Sequence, residues 1–137
     1  MSRHGYSDDL EPLSLGRWRG IVASATRGKR GQAFFRALVD ALDAMPEKRL
    51  VDSELETTSG EVCALGCLGK AQGKPMQAVD TYDHDELGKL FDVAPPLAQE
   101  VMYINDEWGR RDTPEQRWKT VRDWAAKQIK SSEGGGK

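Results

Sequence analysis

Four side chains in this sequence are those of a metal site: Cys63, Cys67, His4 and His84. Structural zinc centres pair cysteines two to four residues apart and close the tetrahedron with a second such pair. Here both cysteines lie inside the apolar run Gly60–Ala71, and the histidines stand alone and far apart. Free cysteine is among the most buried residue types, so the pair reads as core packing. A catalytic thiol needs exposure and a partner base, and only His4 or His84 is on offer. The acids Asp80, Asp83, Asp85 and Glu86 lack the alternating order and central glycine of a calcium loop. They read as helix capping and solvation, and Asn105-Asp106-Glu107 reads as the polar end of a helix. The sequence thus assigns no catalytic residue, no metal ligand and no cofactor.

Binding chemistry is more legible. Between Leu13 and Arg36 stand Arg17, Arg19, Arg27, Lys29, Arg30 and Arg36 with no acid among them. Arg27-Gly28-Lys29-Arg30-Gly31 is expected to be a loop between two helices, where cations and backbone N–H groups can meet phosphates. The candidate binding residues are therefore Arg17, Arg19, Arg27, Lys29 and Arg30, facing nucleic acid or an acidic protein surface. The plainer alternative is solvated charge that pairs with an acidic middle. No Walker pattern is present, and no recognition helix of a helix-turn-helix is singled out. Trp108 sits in a connector between acids and arginines. It is a candidate exposed aromatic anchor, or equally a loop residue capping the core.

The elements that must position these residues are helical. Trp18, Ile21, Val22 and Ala25 recur at helical spacing after Ser14, an N-cap candidate. A second helix is expected from about Gln32 to Met45, with Phe34, Phe35, Leu38, Ala41, Leu42 and Met45 inward and Arg36, Asp40 and Asp43 outward. The two form an antiparallel helical hairpin. Glu47 to Ser59 shows neither period and reads as a turn or short helix, with a short strand at 49–51 as an option. Val62 to Gln72 is expected to be a short buried helix with Gly73 just past its end and Pro75 beyond. Its Gly66 and Gly69 mark a close approach by another helix, with the tryptophan-bearing helices packing on this small-residue surface.

Asp83 with Glu86 three residues later is a capping-box pattern for a short helix to Phe91. Pro95-Pro96 opens the next helix, whose inner face is Leu97, Val101 and Ile104. Thr113-Pro114-Glu115-Gln116 starts the last one, with Trp118, Val121, Trp124, Ala125 and Ile129 inward and Lys127 and Lys130 at the end that suits cations. The whole reads as an all-α, compact single-domain bundle of five or six mostly short helices. An N-terminal arm covers residues 1–12, the helical domain 13–130 and a disordered tail 131–137.

A chain of 137 residues fits one domain. No apolar run approaches the roughly 20 residues of a membrane helix, and Met1 to Asp9 lacks the apolar middle of a signal peptide. Two cysteines four apart make no disulfide framework, which fits a reducing compartment. The net charge of −2 is unevenly spread: residues 1–36 carry net +4, residues 37–109 net −10 and residues 110–137 net +4.

Six stretches carry a family likeness: Arg3-His4-Gly5-Tyr6-Ser7-Asp8-Asp9; Trp18-Arg19-Gly20; Arg27-Gly28-Lys29-Arg30-Gly31-Gln32; Gly60-Glu61-Val62-Cys63-Ala64-Leu65-Gly66; Asn105-Asp106-Glu107; and Thr113-Pro114-Glu115-Gln116-Arg117-Trp118. Together they resemble a family of small uncharacterised proteins encoded by bacteriophages and prophages of proteobacteria. The likeness runs from about Ser2 to Ile129. It carries over no activity and no functional residue. What it implies is a phage or prophage accessory protein of the bacterial cytoplasm. The lack of any convergent catalytic set adds the expectation of a non-enzymatic protein that binds a host or phage macromolecule, first of all a protein, with an enzyme of unassigned reaction as a further alternative. An anti-defence role such as blocking CRISPR is one form of that expectation, and nucleic acid is the alternative partner.

Overall fold

The computed structural model describes residues 2–5, 12–108 and 112–130. Among them are six α-helices: α1 (Pro12–Arg27), α2 (Lys29–Asp43), α3 (Ala64–Ala71), α4 (His84–Phe91), α5 (Pro95–Tyr103) and α6 (Pro114–Gln128). A 3-10 turn covers Met76–Ala78, and α5 runs on into a π-helical turn, Ile104–Trp108. Among the described residues the only β pairing is an isolated bridge between Glu56 and Val62. The protein is an all-α bundle.

The central helix is α2. Phe34, Phe35, Leu38 and Leu42 recur every three to four residues, so one face is apolar and fully buried. That face packs against α3 and α6, while α4 packs on α5, and α1 lies across α2 and α5. Val121 and Ala125 of α6 and Leu97, Val101 and Met102 of α5 complete the core. The capping box expected at Thr113 and Gln116 is formed, and Asp83 accepts the Glu86 N–H at the start of α4. Arg122 forks onto Asp43 with both bonds at 2.9 Å, and Trp118 Nε1 donates to the Leu42 carbonyl, joining α6 to the end of α2.

Several boundaries differ from expectation. The described part of helix α1 begins at Pro12, so Ser14 lies inside the helix and is not its N-cap. Arg27-Gly28-Lys29-Arg30-Gly31 is not a loop. Gly28 alone separates the helices, and Lys29 and Arg30 already belong to the first turn of α2. The tight junction requires Gly31, where a Cβ would stand 1.9 Å from the Ala25 carbonyl oxygen. The buried Gln32 amide completes it. Its Nε2 donates to the carbonyls of Thr26 and Gln128, and its Oε1 accepts the Lys130 N–H, so one side chain serves helix ends of α1 and α6.

Ile21 was expected in the core but is exposed, and Trp18, Trp118 and Trp124 are only partly buried. Polar Arg17, Arg19 and Ser24 leave α1 too weakly amphipathic to bury four apolar side chains. Helix α3 begins at Ala64, with Cys63 as its N-cap, its sulfur accepting the Gly66 N–H at 3.4 Å. Its glycines do admit close neighbours, but these are not a helix. A Cβ on Gly66 would meet the Leu55 carbonyl oxygen at 1.7 Å, and one on Gly69 would meet Met76. The chief helical neighbours of α3 are α2 and α5 rather than the tryptophan-bearing α1 and α6. The segment 46–62 forms no helix, yet buries Leu50 and Leu55. The tail expected at 131–137 and residues 1 and 6–11 of the arm lie outside the described residues, as do 109–111 of the connector after Trp108.

Candidate functional site

The structure divides the five candidate cations into two groups. Arg17, Lys29 and Arg30 line one broad cleft of about 780 Å3, together with Ile21, Ser24 and Val93. Arg17, Ile21 and Ser24 fall one helical turn apart along α1 and form its wall. The opposite wall is the first turn of α2, and the floor closes on the Val93–Ala94 connector between α4 and α5. Among the described residues no carboxylate lines this cleft. Asp92, just beside it, meets Arg30 at 3.2 Å, but both groups are more than half exposed, so the pair binds weakly.

The local electrostatics are unusual for a helix start. Gly28 offers no side-chain cap, and the first turn of α2 carries Lys29 and Arg30 but no acid. The positive end of the helix dipole opposes both cations. Nothing in the packing of α2 requires them there, because both are exposed.

Arg19 and Arg27 are not part of this cleft. They flank a smaller recess on another side of α1, with Glu100 and Trp124. Trp108 lies elsewhere again, more than half exposed at the end of the π turn. The six candidates therefore do not form one site.

Sequence reasoning missed a second polar cluster, which is buried. Arg3 comes in from the N-terminus and forks onto Asp106, with Nε–Oδ2 at 2.7 Å and Nη2–Oδ1 at 2.9 Å. The two residues are 2% and 9% exposed. Arg3 Nη1 also donates to Thr81, and His84 Nε2 donates to the Arg3 carbonyl. His4 Nε2 lies 3.0 Å from Glu107, and Gln99 donates to the His4 carbonyl. On the far side, Asp106 accepts from the Ser53 N–H and from Asn105, while Asn105 Oδ1 accepts the first N–H of α3 and its Nδ2 donates to the Val51 carbonyl. One end of the chain, the π turn, α3 and the irregular 51–53 segment are thereby tied at one point.

Burial alone would raise the Asp106 pKa, but the Arg3 guanidinium, Asn105 and the Ser53 N–H outweigh it and hold the carboxyl below the usual range. Burial likewise opposes the charge on Arg3, and Cys63 and Asp106 overcome it. Asp106 is thus a committed anion with its lone pairs engaged, a structural clamp rather than a proton donor or acceptor. The Cys67 thiol is pushed up to about 12 by burial and by the neighbouring Cys63, so it is neutral and unreactive. Among the described residues no three His, Cys, Asp or Glu side chains converge to hold a metal ion, and no helix is long and apolar enough to cross a membrane.

Comparison with protein-family profiles, with curated proteins and with solved structures finds no match.

Proposed function

We propose that this protein is a non-enzymatic accessory protein of phage or prophage origin that acts by binding a host or phage macromolecule in the bacterial cytoplasm. The observation that carries the reading is the cleft at the α1–α2 junction. It gathers Arg17, Lys29 and Arg30, with no lining carboxylate among the described residues, beside an exposed isoleucine. These groups contribute nothing evident to the core, and Lys29 and Arg30 stand where the helix dipole opposes them. The buried titratable groups, by contrast, are engaged in holding the chain together. The phage origin rests on the likeness of the six motif stretches, and interference with a host defence is one form such binding takes.

Nucleic acid is the second reading. The exposed cations at an uncapped helix start are groups that phosphates meet. Co-purification from bacterial cells with wild type and with Lys29→Glu/Arg30→Glu tests the proposal. Loss of a specific macromolecule in the charge-reversed protein supports it. A partner retained unchanged places binding elsewhere on the surface.

A further inference from the structure

We infer that the α1–α2 cleft takes an acidic segment of a partner protein, one that offers carboxylates around a single large apolar side chain. This rests on the binding role proposed for the cleft and names its partner. The cleft combines two features that a phosphate backbone would not need together. Its rim is basic, with Arg17 on one wall and Lys29 and Arg30 on the other. Its apolar part is Ile21, 47% exposed on the α1 wall, with Val93 and Ala94 closing the floor. Exposed large apolar side chains are few on this molecule: among the described residues Ile21 shares that state only with Tyr82 and Trp108. Ile21 alone of the three lies in a cleft whose charges, among the described residues, are all of one sign. An apolar anchor desolvated inside a charged rim is how interface hot spots are built.

Charge complementarity fixes the sign of the partner. Among the described residues three cations and no carboxylate line the cleft, and carboxylates entering at the first turn of α2 would also relieve the repulsion between its dipole and Lys29 and Arg30. A nucleic acid fits less well. Among the described residues no aromatic ring lines the cleft to stack on a base. The cations do not continue as a track either: Arg19 and Arg27 turn to another side of α1, and Asp92 pairs with Arg30 beside the cleft.

The test is selection from a displayed library of random short peptides against the purified full chain, followed by affinity measurements on the recovered peptides. Peptides rich in Asp and Glu around a Leu, Ile, Phe or Trp are expected. Their affinity is expected to fall about thirtyfold with Ile21→Asp or with Lys29→Glu/Arg30→Glu, and to be unchanged by Arg36→Glu. All of these positions are exposed, and matching thermal unfolding curves confirm that the variants fold. Ile21→Ser, which adds no charge, separates the apolar contact from repulsion. A duplex DNA probe is measured alongside. DNA binding lost on charge reversal but indifferent to Ile21, with no acidic peptides recovered, overturns this inference and leaves a binding cleft in place. Indifference of every bound probe to all the variants, or recovery of no binder, overturns both.

Discussion

The Arg3–Asp106 pair gives the sharpest test of how the fold is held. Asp106 is 9% exposed, and its charge is met by the fork from Arg3 at 2.7 and 2.9 Å. In Arg3→Met the aliphatic bulk is largely kept while the carboxylate loses its counter-charge. Removing one partner of a buried pair costs about 3–5 kcal/mol. That is a large fraction of the roughly 5–15 kcal/mol available to a domain of this kind, and amounts to a fall in Tm of about 10–20 °C. Asp106→Asn removes the orphaned charge and keeps an oxygen to accept from Ser53, so Arg3→Met/Asp106→Asn should be less destabilised than Arg3→Met alone. The coupling expected between the two sites is at least about 1 kcal/mol. Urea unfolding of the four proteins in the cycle measures it. An Arg3→Met protein within about 0.5 kcal/mol of wild type would refute the reasoning, since residues 2–5 would then not be docked by this pair.

Other expectations follow from the same structure. The Asp106 pKa is held low, so the stability it supplies is complete above the unfolded-state value of about 4 and is lost as pH falls through the lower native value. The acid limb of the stability profile should therefore be shallower in Arg3→Met than in wild type, which equilibrium unfolding as a function of pH will show. Gly66→Ala should cost about 3 kcal/mol despite alanine's better helix propensity, because its methyl group meets the Leu55 backbone; a neutral or stabilising result in thermal unfolding contradicts the packing. Gln32→Ala strips partners from three backbone groups and should destabilise by about 2 kcal/mol, with faster amide exchange at Lys130. Cys67 should resist iodoacetamide near pH 8 in the native protein and label on unfolding, as mass spectrometry will report.

The helices were legible because their signals are local. Phe34, Phe35, Leu38 and Leu42 mark a buried face by period alone, and Thr113-Pro114-Glu115-Gln116 is a start signal complete within four residues. The junction was misread for a physical reason. Two glycines around two cations suggest a loop, but Gly31 is there to let α2 approach the end of α1, not to break the chain. Ile21 was misplaced because spacing cannot say that a helix lies at the edge of a bundle.

The Arg3–Asp106 cluster was out of reach of any local rule, since its two charged members stand 103 residues apart. Its residues do stand out as polar stretches, Arg3-His4 and Asn105-Asp106-Glu107, and the fold brings them to one place. The candidate cations were found by charge alone, and only the fold separates Arg17, Lys29 and Arg30 from Arg19 and Arg27.

The binding role of the α1–α2 cleft is tested most directly by site-specific photocrosslinking in bacterial cells, with the reactive side chain placed at position 21 and, as a control, at the exposed Lys119 on α6. A discrete protein adduct from position 21, lost in Lys29→Glu/Arg30→Glu and absent from position 119, is the predicted result. No adduct at 21, or the same adduct from both positions, would contradict it.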